Sequence, residues 1–173
     1  MTDFGSGVVV IEYEVAGATH DAVAASIEWM HWIPELDGCD SYTSWDVFRD
    51  WVKEEGRIRT KQLRARAVVR LPKLADGAPA DVVECFKRYR DKLEAHEKLH
   101  VEHAKKATIA CGEFLKQVGP LSKELDEKLE AAWKTLAKAY GFLDVELDAR
   151  VNNRGPELSF PPPDCPHGAK QPA

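Results

Sequence analysis

Three histidines and a glutamate stand close together in the segment His96-Glu97-Lys98-Leu99-His100-Val101-Glu102-His103. The segment lies in a long run with helical periodicity, and residues four apart on a helix share one face, offset by only ~40°. His96 and His100 can therefore direct two imidazoles at one metal ion. Glu97 stands ~100° away from His96, beside such an ion, where a general base for a metal-bound water has to be.

The spacing His-Glu-x-x-His on a helix predicts a zinc site. Imidazole is the commonest zinc ligand, and the tetrahedral preference of zinc leaves positions for a third protein ligand and a water. Zinc lowers the pKa of that water to ~7, and Glu97 can accept its proton. Iron, nickel and copper also accept imidazole. The alternative interpretation is a pair of hydrogen-bonded core histidines, since histidines on a buried face need partners.

The third ligand is the open part of the predicted site. His103 lies on the same face, but ~10 Å from His96 along a straight helix axis. We predict it as a third metal ligand if the helix bends, and otherwise as a proton donor or a group that touches a ligand. The other candidates are Glu124, Glu127 and Glu130 on the following helix and His167 in the tail.

The elements that must position this segment predict an α+β fold. Strands are predicted over 8–15, 42–51 and 57–71, and helices over 22–32, 81–117 and 121–142. The last helix is expected to end near Gly141, because glycine is a common helix terminator. We expect a small antiparallel sheet packed on the two long C-terminal helices, with the histidine segment on the first of them. Residues 1–150 form one predicted domain, and residues 151–173 a Pro-rich tail that can fold back over the site.

Composition excludes several classes of partner. The net charge is −5 and no basic stripe is visible, which argues against nucleic acid. No apolar run approaches the ~18–20 residues of a membrane span, and residues 1–7 do not resemble a signal peptide. We therefore expect a cytoplasmic protein, or a secreted one if a leader has been removed. The oligomeric state is not predicted.

Four cysteines are present, Cys39, Cys85, Cys111 and Cys165, and no two have the close spacing of a zinc ribbon or redox pair. In a cytosolic protein four free thiols are expected. A Cys39–Cys165 bridge is the alternative for an oxidising compartment.

His96-Glu97-Lys98-Leu99-His100 resembles the zincin metallopeptidase motif. More narrowly, the chain resembles a bacterial family of predicted zinc-dependent proteases, often secreted, that is catalogued only as a domain of unknown function. The likeness covers roughly residues 8–150 and includes Tyr13-Glu14-Val15-Ala16-Gly17-Ala18-Thr19, Tyr42-Thr43-Ser44-Trp45-Asp46-Val47 and Val69-Arg70-Leu71-Pro72. It implies a zincin-like fold, His96 and His100 as zinc ligands, and Glu97 as the catalytic base.

The chain departs from that family near its C-terminus. The family pattern has a Tyr-Asp pair, then Thr and His-Gly, which would offer a third ligand. Here residues 147–155 occupy that place, and Asn153 stands where the histidine would fall. His103 or His167 would then replace it.

These observations predict a zinc-dependent metallohydrolase, a peptidase or amidase, in which metal-bound water attacks and Glu97 is the general base. Its partner would be a peptide or small-molecule substrate. The alternatives are an intracellular metalloenzyme of different chemistry on a small molecule, and a catalytically inactive zincin-like protein.

Overall fold

Three strands and three helices follow one another in the computed structural model, which describes residues 4–36, 38–55, 57–117, 123–151 and 158–165. Their order and bounds are β1 (Val8–Val15), α1 (His20–Met30), a short 3-10 helix (Pro34–Leu36), β2 (Tyr42–Glu54), β3 (Arg57–Leu74), α2 (Ala80–Gln117) and α3 (Lys123–Val151). The prediction of an α+β fold with a small sheet and two long C-terminal helices is confirmed.

The strands form one sheet in the order β1-β3-β2, which makes β3 its centre. β2 runs antiparallel to β3, with Thr43 opposite Val69. β1 runs parallel to β3, with Val10 opposite the same residue. The prediction of an antiparallel sheet is therefore wrong for β1. A parallel pair needs a long crossover connection, and α1 with β2 supplies one between β1 and β3.

One face of the sheet packs against α2. Side chains alternate between the faces of a strand, so Ala67, Val69 and Leu71 of β3 lie together in the core. Ser41 and Thr43, at the start of β2, are also buried although they are polar. Buried hydroxyls need hydrogen-bond partners, and theirs lie on α2.

α2 is one helix of 38 residues, which confirms the long helix predicted over 81–117. Its buried positions recur every three or four residues, as expected for an amphipathic helix. Most are apolar, but Glu94, His96, Glu97 and His100 are buried as well. The middle of α2 therefore carries a polar segment between two apolar clusters, a larger one at its first half and a smaller one around Ala107 and Cys111.

α3 is longer than predicted. It passes through Gly141 and Phe142 and continues to Val151. The expected helix end near Gly141 is wrong, because a single glycine weakens a helix without terminating it when tertiary contacts support both sides. Trp133 contributes such a contact by packing into the smaller cluster with Val47.

The described part of the tail lies along the first half of α2. Cys165 forms a disulfide with Cys85, so the expectation of four free thiols is wrong and Cys165 does not pair with Cys39. The Phe160 ring centroid lies 5.4 Å from that of Tyr89, within the larger apolar cluster. Because the two cysteines lie 80 residues apart in the sequence, local spacing could not predict the pair.

Asp164 forms an ion pair with Lys92 at 2.7 Å, and Cys165, the last described residue, is bonded to Cys85, about three helical turns before His96. Residues 152–157 and 166–173, with Asn153 and His167, lie outside the described residues. The idea that the tail covers the site stays a prediction. Within the part of the chain that the structure describes, no helix combines the length and the apolar character needed to cross a membrane.

Candidate metal centre

His96 and His100 face each other on one side of α2. Their Nε2 atoms are 3.1 Å apart, and each residue is about 6% exposed. The spacing of four residues brings the two rings together, as predicted from the sequence. Both rings are therefore largely shielded from bulk water.

Asp148 on α3 completes this arrangement. Its Oδ1 atom lies 3.2 Å from Nε2 of His96 and 3.0 Å from Nε2 of His100. The sequence interpretation missed Asp148 because it ended the helix before this residue. A signal was present, since Asp144 and Asp148 are four residues apart like the two histidines, which puts both carboxylates on one face of a continuous helix.

The three atoms fit a zinc ion. Two imidazole nitrogens and one carboxylate oxygen are a donor set that zinc accepts, and ligands at ~2.0–2.1 Å around a tetrahedral ion stand about 3.3 Å apart. The pairs here are separated by 3.0–3.2 Å. Among the described residues, the buried Nδ1 of His96 has no hydrogen-bond partner, so this ring is held through Nε2 alone.

Asp144 holds His100 from its other side. Its Oδ1 atom lies 3.0 Å from Nδ1 of His100 and 2.5 Å from Nδ1 of His103, while Nε1 of Trp45 donates to its Oδ2 atom. A metal-binding histidine commonly donates its second N–H to a carboxylate, which fixes the ring and its tautomer. Asp144 stands where that carboxylate is required.

His103 contacts the centre through Asp144 and through an edge contact with the ring of His100, 6.4 Å between centroids. His100, His103 and Asp144 also form a second group whose ligand atoms lie within 4.8 Å of one another. The role of His103 as a direct metal ligand stays a prediction. Its alternative role, as a group that touches a ligand, agrees with its ring contact to His100.

The carboxylates favour positive charge at His100. Burial lowers the pKa of His100, but its hydrogen bonds to Asp144 and Asp148 and the charge of Glu97 outweigh burial and raise that pKa to about 10. Burial raises the pKa of Asp144, and hydrogen bonds from two histidines and Trp45 bring it below its usual value. The surroundings of His100 are thus suited to a cation.

Glu97 lies beside the histidines and is only 2% exposed. The Ser41 hydroxyl donates to its Oε1 atom at 2.5 Å, and the Thr43 hydroxyl donates to Oε2. A carboxylate oxygen has two lone pairs, so each oxygen can still accept a further proton or hydrogen bond. Glu97 is therefore held in one orientation with acceptor capacity left.

Asp40 fixes the chain immediately before these hydroxyls. Its carboxylate accepts a hydrogen bond from Tyr89 at 2.9 Å and lies 2.7 Å from Nε2 of His31, and Tyr13 donates to its carbonyl oxygen. Burial and the nearby charge of Asp40 raise the pKa of both tyrosines, which stay protonated donors. This network places Ser41 opposite Glu97.

A cleft of about 430 Å³ opens between β2 and α3 above the centre. Glu97, His100 and Asp148 line it at one end, and Trp133 and Ala137 line it at the other. Its second wall is the segment from Ser41 to Val47, the first part of β2 and the residue before it. The candidate base and two of the candidate ligands are therefore reachable from one opening.

The remaining predicted ligands are not gathered here. Glu127 is exposed and Glu130 half-buried on α3, ~27–31 Å along the helix axis from Asp148. The side chain of Glu124 and the whole of His167 lie outside the described residues.

Comparison with known proteins gives a family and no close relative. No curated protein and no solved structure matches the chain significantly. A family model does match residues 10–155, a range that contains the whole centre and the cleft, and its description is "Bacterial protein of unknown function (DUF922)". This agrees with the predicted resemblance to a bacterial family of unknown function. The chain belongs to the DUF922 family of bacterial proteins.

Proposed function

We propose that this protein is a zinc-dependent hydrolase with a zincin-like site that cleaves peptide bonds. The observation that carries the proposal is the triangle of His96, His100 and Asp148, with Glu97 beside it at the end of an open cleft. The candidate metal ligands, the candidate base and a cleft for the substrate are therefore found at one place.

His96, His100 and Asp148 would hold the ion. Zinc supplies a Lewis acid that polarises a carbonyl and lowers the pKa of a coordinated water to ~7. Asp148 is more open to solvent than either histidine, with a side chain 36% exposed. Asp144 keeps the His100 ring aligned through Nδ1.

Glu97 would move the proton. As the water oxygen bonds to the peptide carbon, Glu97 accepts a proton from that water, and it returns the proton to the nitrogen as the C–N bond breaks. Ser41 and Thr43 keep the carboxylate oriented throughout. The net reaction consumes one water and leaves Glu97 as it began.

A peptide suits this cleft better than a small molecule. β2 is an edge strand of the described sheet, and it forms the wall from Ser41 to Val47. Edge strands present backbone donors and acceptors to which an extended peptide can pair. We therefore expect the substrate to lie along β2 with its reacting carbonyl near Glu97.

We further propose that the protein works in an oxidising compartment. The Cys85–Cys165 disulfide supports this, because disulfides persist mainly in secreted and periplasmic proteins. The alternative, a cytoplasmic location, would require this pair to be reduced in the working protein.

The test combines metal analysis with turnover of unfolded casein. We expect one zinc ion per chain in the wild type, and loss of that ion in His96→Ala and in Asp148→Ala. Glu97→Gln should keep the ion and lose turnover by roughly 10²–10⁴-fold. Glu102→Gln, an exposed position on the same helix, is the matched control and should change neither quantity. Wild-type protein without stoichiometric metal, or Glu97→Gln with normal turnover, would refute the proposal.

A further inference from the structure

Gly141 is an unexpected residue in the middle of α3. The helix continues for ten residues beyond it, to Val151. Glycine is less favourable than alanine in a helix interior, and a glycine inside a helix usually has a packing or a functional reason.

Packing does not account for Gly141. Apart from the two chain neighbours and the backbone of α3 itself, no described atom lies within 4 Å of the position that a Cβ atom would take there. Gly112 of α2 is a useful contrast, because a Cβ at that position would lie 3.4 Å from Cδ2 of Leu63. A Cβ at Gly112 would thus make an ordinary contact with Leu63, whereas a Cβ at Gly141 would face open space.

That open space is the cleft. Gly141 lines it together with Trp133, Ala137 and Val145, which are spaced four residues apart on the same face of α3. The Cα–Cβ bonds of a helix tilt toward its N-terminus, so a side chain at 141 would lean over Ala137 toward Trp133. The two small residues leave a notch between the larger side chains of Trp133 and Val145.

On the α3 side, the side chains that flank this notch, Trp133, Ala137 and Val145, are apolar, whereas Asp46 of β2 also lines the cleft. Trp133 packs with Val47 of β2 in the smaller apolar cluster, and Ala137 lines the cleft one turn further along α3. The ionisable groups of the candidate centre, Asp144 and Asp148, lie on the C-terminal side of Gly141. Apolar walls favour an apolar occupant, because burying a charge there without a partner is costly.

We propose that the notch at Gly141 is a specificity subsite that accepts a bulky apolar side chain of the peptide substrate. Asp148 is seven residues from Gly141, ~10 Å along the helix, and an extended peptide rises ~3.3 Å per residue. The accepted side chain therefore lies about three residues from the bond that is cut. This inference rests on the proposed peptide hydrolase function.

Binding tests the subsite without turnover. The protein carries Glu97→Gln and is loaded with zinc, and the probes are fluorescein-labelled Gly/Ala-rich octapeptides with one variable position. That position holds Gly, Leu, Phe, Lys or Glu, and fluorescence anisotropy reports affinity. We expect the Leu and Phe peptides to bind at least tenfold more tightly than the other three.

Two further substitutions in the same background assign the preference to Gly141. Gly141→Leu should fill the notch and remove the preference, while Ala139→Leu, at an exposed position outside the cleft, should keep it. Equal binding of all five peptides, no binding of any, or a preference that survives Gly141→Leu would overturn the subsite. Failure of the hydrolase proposal is seen separately, as wild-type protein that lacks metal or cleaves no casein.

Discussion

At the scale of single residues, Asp144 connects the candidate centre to its surroundings. It contacts His100, His103 and Trp45, yet none of its atoms is among the three that would surround the proposed ion. We therefore predict that Asp144→Asn lowers zinc affinity about 10–100-fold and keeps one ion per chain, as found for carboxylates that orient a ligand. Competition with a chromophoric chelator measures both the affinity and the stoichiometry.

Asp46→Asn is the control for this prediction, because Asp46 also lines the cleft and is exposed. It should leave the affinity unchanged. Complete loss of the ion in Asp144→Asn would instead assign Asp144 as a ligand, in the group with His100 and His103. His103 would then recover the direct role expected from the sequence.

Sequence could identify the part of the centre that lies on one helix. His96, His100 and Glu97 are related by helical geometry alone, and the structure brings them together with Asp148. To identify Asp148 as part of the centre, one must know where α3 ends and how it packs against α2. To identify Ser41 and Thr43, one must know which strand faces Glu97. That contact is long-range, and no local sequence pattern predicts it.

At the scale of elements, the glycine inside α3 leads to a prediction about the stability of the protein. Alanine is favoured over glycine in a helix interior by about 0.5–1 kcal/mol, and a Cβ at Gly141 meets no described atom. We expect Gly141→Ala to raise the free energy of unfolding by that amount, measured by urea denaturation. Ala139→Gly should lower it by a similar amount, since Ala139 is exposed on the same helix. A destabilised Gly141→Ala would mean that the notch is closed in solution.

Element types were predictable where the pattern was strongly periodic. β1 over 8–15 and the long helix over 81–117 follow alternation and three-to-four spacing, and the structure confirms both. The direction of β1 relative to β3 was not predictable, since a strand pattern has no information about its neighbour. The prediction that the helix ends near Gly141 was wrong, because the tertiary contacts of Trp133 and Asp144 outweigh the low helix propensity of one glycine.

At the scale of the whole molecule, the disulfide connects residues 80 positions apart. A bridge that closes a loop of this length restricts the unfolded chain, so removing it costs about 2–5 kcal/mol. We predict this loss for the double variant Cys85→Ser/Cys165→Ser, measured by urea denaturation. A reducing agent should lower wild-type stability and leave the variant unaffected. Equal sensitivity of both proteins to the reductant would contradict this role for the bridge.

The buried contact between Glu97 and the start of β2 also constrains how the sheet assembles. Because successive side chains point to opposite faces, a slip of β2 by one residue along β3 would turn Ser41 and Thr43 outward and present Tyr42 to Glu97. A buried carboxylate that loses its hydroxyl donors is strongly disfavoured. Glu97 thus disfavours the shifted register, so the residue proposed to move protons also helps to specify how β2 pairs with β3.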